Sequence, residues 1–426
     1  MQAPNSLSLS SQILALADRC VKCGLCLPHC PTYGLHSDEN ASPRGRIALL
    51  QGVTEGRLAP DARVRKHLDE CVGCRRCERV CPAGVEFERL MDLGRRLPGL
   101  QATSRWQRFA LRLLGKPTRL RRLHRGLRFL QRSGLLGLAR ASGLLRLSGL
   151  SRAARLLPPL PAPAPLPHPA DDRGRRRVAL FTGCLGGTLE QTTVRAAIRV
   201  LEAFGFSVRR LETGCCGALA WHRGEMALAT EQARQQLSAA DEAAEAILYL
   251  ATGCGPHLQR YAELPLDESD RPRAEAFVGR LEEITAFLAR QPFPAERFRA
   301  NDPPLTVAVH LPCSQINGLR QQDTAGELLG HVPGLRVIPL ADNDLCCGAG
   351  GEAMLRVPQV AERLRSDKLE AIARTAPEVV ASTNPGCALF LNAGLGHDPE
   401  LPVVHPVVVM AARLDEGSGW RGTGSG

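Results

Sequence analysis

Acidic residues are missing from one long stretch of this 426-residue chain. Between Leu93 and Ala170 there is no Asp or Glu, whereas the same stretch holds sixteen lysines and arginines. The net charge of the whole chain is +11, so the residues outside that stretch carry a net charge of −5. The basic character therefore belongs to one segment, which argues against a general nucleic-acid-binding surface built into a folded face.

The chain also lacks long hydrophobic runs, a recognisable leader and nucleotide-binding motifs. No run of about eighteen apolar residues occurs, so no transmembrane helix is expected. Residues 1–11 contain no basic stretch followed by an apolar one, so no secretory signal is expected and a cytoplasmic location is favoured. We found no convincing flavin or nicotinamide motif. The sequence Gly348-Ala-Gly-Gly351 follows a cysteine pair and lacks the GxGxxG pattern and the distal acid of a dinucleotide site.

Cysteine, by contrast, is abundant, and eight of the sixteen cysteines stand in two runs of identical spacing. The runs are Cys20-x2-Cys23-x2-Cys26-x3-Cys30-Pro31 and Cys71-x2-Cys74-x2-Cys77-x3-Cys81-Pro82. This spacing is typical of ferredoxins with two [4Fe–4S] clusters, in which the fourth cysteine of each run ligates the other cluster. We therefore predict one cluster on Cys20, Cys23, Cys26 and Cys81, and a second on Cys71, Cys74, Cys77 and Cys30. The alternative is structural zinc, and iron-binding thiolates need a reducing compartment.

Two segments precede the rest of the chain. Residues 1–96 are predicted to form an α-helical ferredoxin domain, because Ser42-Pro43 is a helix-start signal and Val64, Leu68 and Cys71 recur at helical spacing. A linker is predicted at 97–176. Its arginine- and leucine-rich part suits an interfacial position on anionic lipid, and equally well packing against a partner or the domains themselves. Seven prolines between 158 and 169 predict an extended spacer at its end.

The remainder of the chain is an internal duplication, in which short apolar runs alternate with helical stretches. Residues 178–184 match 307–313, residues 214–217 match 345–348, and residues 247–254 match 379–387. The predicted strands are Val178–Phe181, Ser207–Leu211, Ile247–Leu250, Leu305–Val309, Arg336–Leu340 and Val379–Ala381. The predicted helices include Thr188–Phe204, Ala227–Ala246 and Gln359–Arg374. We expect two α/β domains with mostly parallel sheets, at 177–292 and 303–415.

The duplication uses all eight remaining cysteines, and they fall just after strand ends, where α/β folds usually build sites. The first set is Cys184, Cys215, Cys216 and Cys254, and the second set is Cys313, Cys346, Cys347 and Cys387. Adjacent cysteines bridge each other poorly, whereas two neighbouring thiolates can reach the metal ions of a cluster. Gly214 and Gly217 allow the close backbone approach that this needs. Each set is therefore predicted to bind a further iron–sulfur centre or zinc.

These patterns resemble a known family. The Cys-Cys-Gly stretches at 212–222 and 345–350, with the stretches around Cys254 and Cys387, are similar to the cysteine-rich CCG domain related to heterodisulfide reductases. A helical two-cluster ferredoxin, a linker and two CCG domains make up an order similar to that of glycolate oxidase iron–sulfur subunits. The resemblance covers nearly the whole chain. It implies a multidomain α plus α/β protein in which a ferredoxin domain precedes two duplicated CCG domains.

The resemblance also implies a function. Flavin-binding partner subunits oxidise glycolate to glyoxylate, and this chain passes the electrons through its clusters to a quinone or another acceptor. It allows a peripheral position on the inner face of the cell membrane. The flavin is expected on the partners only, and no catalytic residue is assigned to this chain.

The sequence departs from the family pattern at the end of each CCG domain, and two other functions remain as alternatives. The fullest family motif ends each CCG domain with CxxC, whereas His257 and Phe390 stand at the last position here. This puts a five-thiolate cluster in doubt and makes His257 a candidate ligand, although a lone histidine is more often structural. His222 and His310 are candidates for moving protons, although a structural role is the more common one for such histidines. The alternatives are a subunit of a lactate, glycerol 3-phosphate or heterodisulfide-reductase-like enzyme, and a non-redox zinc protein.

Overall fold

A computed structural model describes residues 8–101, 103–147, 150–162, 175–211, 213–299 and 302–415. Among these residues, no helix combines the length and the apolar character needed to span a bilayer. All sixteen cysteines are described, and all carry free thiols.

The N-terminal region consists of helices joined by the cysteine loops. They are α1 (Leu9–Ala17), α2 (Pro31–His36), α3 (Pro43–Thr54), α4 (Ala62–Asp69), α5 (Arg76–Arg79) and α6 (Phe87–Gly94), with a 3₁₀ turn at Glu39–Ala41. The predicted helix start is confirmed: Ser42 Oγ accepts the backbone N–H of Gly45, and Pro43 opens α3. Helices α1, α3 and α6 enclose a core around Ile13, Leu50 and Leu90. This helical core holds the two cysteine loops in place.

Short helices follow in the basic linker. They are α7 (Arg105–Leu114), α8 (Pro117–Arg132), α9 (Leu135–Ala141), α10 (Leu144–Leu147) and α11 (Ser151–Leu156). Gly134 and Gly143, both with positive φ, stand between the successive helices after α8. The linker packs on the rest of the protein at both ends, through Leu111 of α7 and Leu156 of α11. Most of the proline spacer predicted at 158–169 lies outside the described residues, which resume at 175.

Two four-stranded parallel sheets follow. The first contains β1 (Arg176–Phe181), β2 (Phe206–Leu211), β3 (Ala246–Tyr249) and β4 (Leu281–Glu283) in the order β2-β1-β3-β4. The second contains β5 (Leu305–His310), β6 (Leu335–Pro339), β7 (Val379–Ser382) and β8 (Val403–Val404) in the order β6-β5-β7-β8. Every pairing is parallel. The six predicted strands are confirmed within one or two residues, and β4 and β8 were not predicted.

Helices connect the strands. The first half has α12 (Gly183–Gly186), α13 (Gln191–Ala203), α14 (Ala218–His222), α15 (Met226–Ala239), α16 (Gly255–Leu258), α17 (Arg271–Gly279) and α18 (Ile284–Ala289). The second half has α19 (Thr324–Gly330), α20 (Ala353–Arg356), α21 (Pro358–Thr375), α22 (Pro385–Gly394) and α23 (Pro406–Ala412), and a π-helical turn at Ser314–Leu319. Further 3₁₀ turns lie at Tyr261–Glu263 and Ala295–Arg297. The predicted helix Ala227–Ala246 was too long, because the chain leaves the helix at Ala239 and begins β3 at Ala246.

One apolar core joins the two halves. Val178 and Leu180 of β1 belong to the same buried cluster as Val307 and Val309 of β5. Helix α13 packs on α23, and α18 packs on α19. The residues that follow the strands of both sheets, including Thr182 and Leu250, line one cavity that faces the N-terminal region. The fold thus directs the predicted cysteine positions of both halves toward a common space.

Candidate metal centres

The two ferredoxin-type runs fold into loops of the same backbone shape. In each loop, the residues on both sides of the second cysteine have positive φ. They are Lys22 (56°) and Gly24 (87°) in the first loop, and Gly73 (66°) and Arg75 (58°) in the second. Such left-handed residues reverse the backbone direction sharply. The loop therefore turns around its second cysteine, and the three close cysteines of each run line one cavity.

A small cavity at the surface gathers the first predicted set. It is lined by Cys20, Cys23, Cys26 and Cys81, together with Cys77 of the other run. Cys23 is exposed, and its neighbours Val21 and Leu25 are 70% and 57% exposed. The four thiols that the sequence assigns to one cluster thus border one space at the protein surface. The ligand assignment itself stays a prediction.

A much larger cavity, of about 590 Å³, lies between the N-terminal region and the two sheets. Cysteines of all these regions line it: Cys30, Cys71, Cys74, Cys77, Cys184, Cys215, Cys216, Cys254, Cys313, Cys347 and Cys387. Cys77 lines both cavities. The four cysteines predicted for the second cluster therefore border the same space as the whole first set of the duplication and three of the four cysteines of the second set.

The first duplicated set lies at the carboxyl ends of three neighbouring strands. Cys184 follows β1, the pair Cys215–Cys216 follows β2, and Cys254 follows β3. The pKa of Cys215 lies well below its usual value, because the thiols of Cys184 and Cys216 donate hydrogen bonds to it. The backbone N–H of Gly217 also approaches Cys215 Sγ at 3.4 Å. The fold thus favours a thiolate, the form that binds metal.

The second set repeats this arrangement. The thiols of Cys313 and Cys347 lower the pKa of Cys346 well below its usual value, and the N–H of Gly348 lies 3.4 Å from Cys346 Sγ. Gly348 has φ 84°, and a Cβ at this position would stand 2.2 Å from Ala361 O. Only glycine fits there, so the Cys-Cys-Gly pattern is a requirement of the turn as well as of the thiols.

Two histidines lie beside these sets. His257 is buried, its Nε2 has no hydrogen-bond partner, and burial lowers its pKa to about 3. That Nε2 lies 3.2 Å from the point where a Cβ on Gly217 would stand. His310 is also buried, and burial followed by the charge of Lys368 lowers its pKa to about 3. Both rings are therefore neutral and retain a lone pair.

Sequence reasoning missed Asp92, a buried carboxylate on α6. Its Oδ1 lies 2.8 Å from His222 Nδ1, and its Oδ2 accepts a hydrogen bond from Trp221 Nε1 at 3.0 Å. Burial disfavours the charged form of both side chains, but the attraction between the carboxylate and the imidazolium is stronger than this effect. The pKa of Asp92 is therefore lowered and that of His222 is raised. The available signal was a lone acid between the apolar residues Met91 and Leu93 of a short helix.

The second ferredoxin loop rests on the second half of the duplication. Asn317 Nδ2 donates to Cys74 O at 2.8 Å, and Cys74 and Cys346 share one apolar cluster. Burial, followed by the nearby Cys346, raises the pKa of Cys74. An ion pair between Arg76 and Asp344, 2.6 Å long, supports the same contact. The ferredoxin region is thus fixed to the duplicated region and does not hang from the linker alone.

Comparisons with known proteins agree with this architecture. Residues 16–85 match the family described as "4Fe-4S dicluster domain", and 178–259 and 307–392 both match "Cysteine-rich domain". Residues 102–157 match "Glycolate oxidase iron-sulfur subunit, linker region". The chain is 32% identical to a "Probable glycolate oxidase iron-sulfur subunit" of Bacillus subtilis (strain 168), over 88% of each chain.

The chain belongs to the family of glycolate oxidase iron–sulfur subunits. The "Glycolate oxidase iron-sulfur subunit" of Escherichia coli (strain K12) is 31% identical over 87% of this chain and 89% of that protein. The "Lactate utilization protein A" of Exiguobacterium sp. is 29% identical over 56% of this chain and 97% of that protein. The predicted resemblance is confirmed, and the chain is an iron–sulfur protein with a redox role.

Proposed function

We propose that this chain is the electron-transfer subunit of a complex that oxidises glycolate to glyoxylate. The oxidation releases two electrons and two protons from the 2-hydroxy acid. A flavin on a partner subunit takes the electron pair, because this chain has no motif for a cofactor that accepts hydride. The chain then carries the electrons one at a time through two [4Fe–4S] clusters.

The observation that carries this proposal is the position of Cys77, which borders both cavities. On one side lie the cysteines predicted for the first cluster. On the other side lie those predicted for the second cluster, with the Cys184 set beyond them in the same cavity. Neighbouring centres arranged in this way support stepwise transfer from the surface to the interior. Electrons leave from the large cavity to a quinone or another acceptor.

The exposed surface around Cys23 is the proposed entry point. Val21 and Leu25 flank this cysteine and expose most of their apolar side chains. A flavin subunit that covers them would remove both from water and bring its cofactor close to the first cluster. His222, held by Asp92 and lining the large cavity, is the proposed proton carrier beside the acceptor.

The basic linker is proposed to rest on an anionic membrane surface, near a quinone. The linker exposes ten large apolar side chains among its arginines: Trp106, Phe109, Leu123, Phe129, Leu130, Leu135, Leu138, Leu144, Leu147 and Leu150. Exposed aromatic and leucine side chains next to arginines suit the interface between headgroups and acyl chains. A partner subunit is the other surface that would cover them.

The test uses the complex purified with its flavin subunits under anaerobic conditions. Cys74→Ser should abolish glycolate-dependent reduction of a quinone analogue, because it removes a predicted ligand of the second cluster. Glycolate should still reduce the flavin in the same sample, which serves as the internal control. Quinone reduction at the wild-type rate would show that this chain is not in the electron path.

Two further measurements separate the alternatives. Lactate is the second candidate substrate, because a relative named "Lactate utilization protein A" is 29% identical to the chain, so both acids are offered to the complex. Flavin reduction by lactate but not by glycolate would assign the complex to lactate.

Iron, acid-labile sulfide and the EPR spectrum of the reduced protein test for clusters. Zinc without iron, and no EPR signal, would leave a structural zinc protein.

A further inference from the structure

The duplication makes it possible to compare the two cysteine sites position by position. In the first sheet, Phe181 of β1 pairs with Tyr249 of β3. In the second sheet, the corresponding pair is His310 of β5 and Ser382 of β7. An aromatic pair in one half is thus replaced by a polar pair in the other, at the same place beside the cysteines.

At a second position the first half has the polar residue and the second half has the aromatic one. His257 stands three residues after Cys254, whereas Phe390 stands three residues after Cys387. Each half therefore has one histidine and one phenylalanine at these two positions, and the two are exchanged between the halves. Phe390 is buried, and the Arg365 guanidinium lies 4.4 Å from the centre of its ring. The second half thus loses a ligand position on α22 and gains an imidazole at the end of β5.

His310 is close enough to two thiols of its set to share one ion with them. A ring nitrogen of His310, Cys347 Sγ and Cys387 Sγ all lie within 4.8 Å of one another, and all three residues are buried. This is the one such trio found in the described part of the chain. Ligands of a single tetrahedral zinc ion stand about 3.5–4 Å apart. In a cubane each thiolate binds a different iron, so the sulfur atoms stand farther apart.

The hydrogen bonds of His310 leave one nitrogen available. Its Nδ1 lies 3.0 Å from Ser382 Oγ, and the backbone N–H of Asn384 donates to the same oxygen at 3.5 Å. An Nδ1–H donated to Ser382 leaves the lone pair on Nε2. Histidines that bind metal usually donate their other N–H to a fixed acceptor in this way, which sets the ring orientation.

We propose that His310, Cys347 and Cys387 hold a single divalent metal ion, for which zinc has the fitting ligand chemistry. One of the other two thiols of the set, Cys313 or Cys346, supplies the fourth ligand. His310 takes the role of the cysteine that Phe390 replaces. The site is structural, because zinc carries no electrons, and it fixes the surface on which the Cys74 loop rests. The inference goes beyond electron transfer and does not depend on which acid the complex oxidises.

The test measures metal in the purified full chain, expressed with both iron and zinc supplied. Wild type should contain one zinc per chain after a chelator wash. His310→Phe, which installs the residue of the first half, should lose at least nine-tenths of it. Cys347→Ser should do the same. His331→Gln is the matched control, because its ring lies against Phe293 and it belongs to no trio of possible ligands in the described part of the chain, and it should keep the zinc.

A second variant keeps the test decisive if His310→Phe does not fold. His310→Cys should retain zinc, and zinc X-ray absorption should change from mixed sulfur and nitrogen ligation to sulfur alone. Unchanged nitrogen ligation in His310→Cys would overturn the proposal. The proposal would also be overturned if the Cys347→Ser variant lost iron and kept its zinc. Neither result bears on the Cys74→Ser test, so the two proposals fail separately.

Discussion

At the scale of single residues, the pairing of His222 with Asp92 joins two regions that are far apart in sequence. Asp92 belongs to the N-terminal region and His222 to the first half of the duplication. Asp92 is almost fully buried, whereas the His222 side chain is 37% exposed and lines the large cavity. The pair therefore belongs both to the contact between these two regions and to the wall of the cavity.

Asp92→Asn should lower the melting temperature, and the loss should depend on pH. The pKa of His222 is raised in the folded protein. The ion pair therefore stabilises the fold in full below the ordinary histidine pKa of about 6.5, and this stabilisation is lost as the pH rises through the pKa of His222 in the folded protein. The lowered pKa of Asp92 keeps its charge throughout that window. Melting curves of both proteins should therefore differ more at about pH 6 than at about pH 9.

His222→Gln is the control for that pH dependence. In a His222→Gln background, the Asp92→Asn change should cost the same at both pH values. A loss in the original background that does not vary with pH would mean that His222 does not change its charge across that range.

The sequence was informative about residues whose role is local. The cysteine spacing, Gly217 and Ser42 each depend on neighbours within a few positions, so their roles were predicted from the pattern. Asp92 and His310 depend on partners more than seventy residues away. No local pattern contains that distance, so the sequence made His310 a candidate for moving protons, whereas its distances to two thiols support the ligand role proposed above.

At the scale of elements, the linker helices show how one sequence pattern serves two surfaces. Leu111 and Leu156 are buried against the two halves of the duplication, and Trp106 and Leu147 are exposed. The backbone of Leu114 accepts the N–H of Cys215 at 3.1 Å, so the linker also supports the first cysteine set. Deleting the linker would therefore disturb that set, and point substitutions are the better probe.

Replacing Trp106, Phe129 and Leu147 together by serine should weaken binding to vesicles that contain anionic lipid. Their apolar side chains are 81%, 66% and 89% exposed, so the change removes membrane contact without opening the core. Co-sedimentation with vesicles at low and high salt measures the effect. Leu355→Ser, an exposed leucine of α20, is the control and should bind as wild type does.

Sedimentation of the triple variant at the wild-type level would assign these side chains to a partner subunit. Weaker association with the flavin subunits in the same variant would then be expected.

The strands show where pattern reasoning ends. The first three strands of each sheet have four to six residues, at least half of them apolar, and were predicted. Strands β4 and β8 have three residues and two residues, which is too short for any periodicity to appear. They pair because β3 and β7 present free edges beside them. Their existence depends on the sheet that precedes them.

At the scale of the whole molecule, the two halves share one core and contact each other directly beside the cavity. Thr252 of the first half donates its backbone N–H to Thr383 O of the second at 3.1 Å, and each residue lies between the third strand of its half and the cysteine that follows. The duplication in the sequence predicted two similar units. It did not predict that their cysteine loops would meet, because a repeat carries no information about how its copies pack.

Arg356→Ala should loosen the contact between the ferredoxin region and the second half. Arg356 of α20 lies 2.6 Å from Asp69 of α4, and both side chains are largely buried. Its removal leaves a poorly solvated carboxylate and should cost about 1–3 kcal/mol of unfolding free energy. Hydrogen exchange should also become faster in 71–81, the second cysteine loop.

Arg374→Ala is the matched control, because Arg374 pairs with Asp342 where both side chains are about half exposed. An exposed pair of this kind contributes about 0–1 kcal/mol, so its removal should leave the exchange in 71–81 unchanged. Equal effects of the two substitutions would mean that the Arg356 contact does not hold the regions together.

The exposure of Cys23 affects how sensitive the protein is to oxygen. A cluster on Cys20, Cys23, Cys26 and Cys81 would sit at the surface, within reach of dissolved oxygen, whereas one bound through the buried Cys74 would be shielded. Oxygen would therefore destroy the first cluster before the second. The helical core around Leu50 would remain, so an aged sample would still appear folded. Such a protein would be cut off from its electron donor while most of its structure stayed intact.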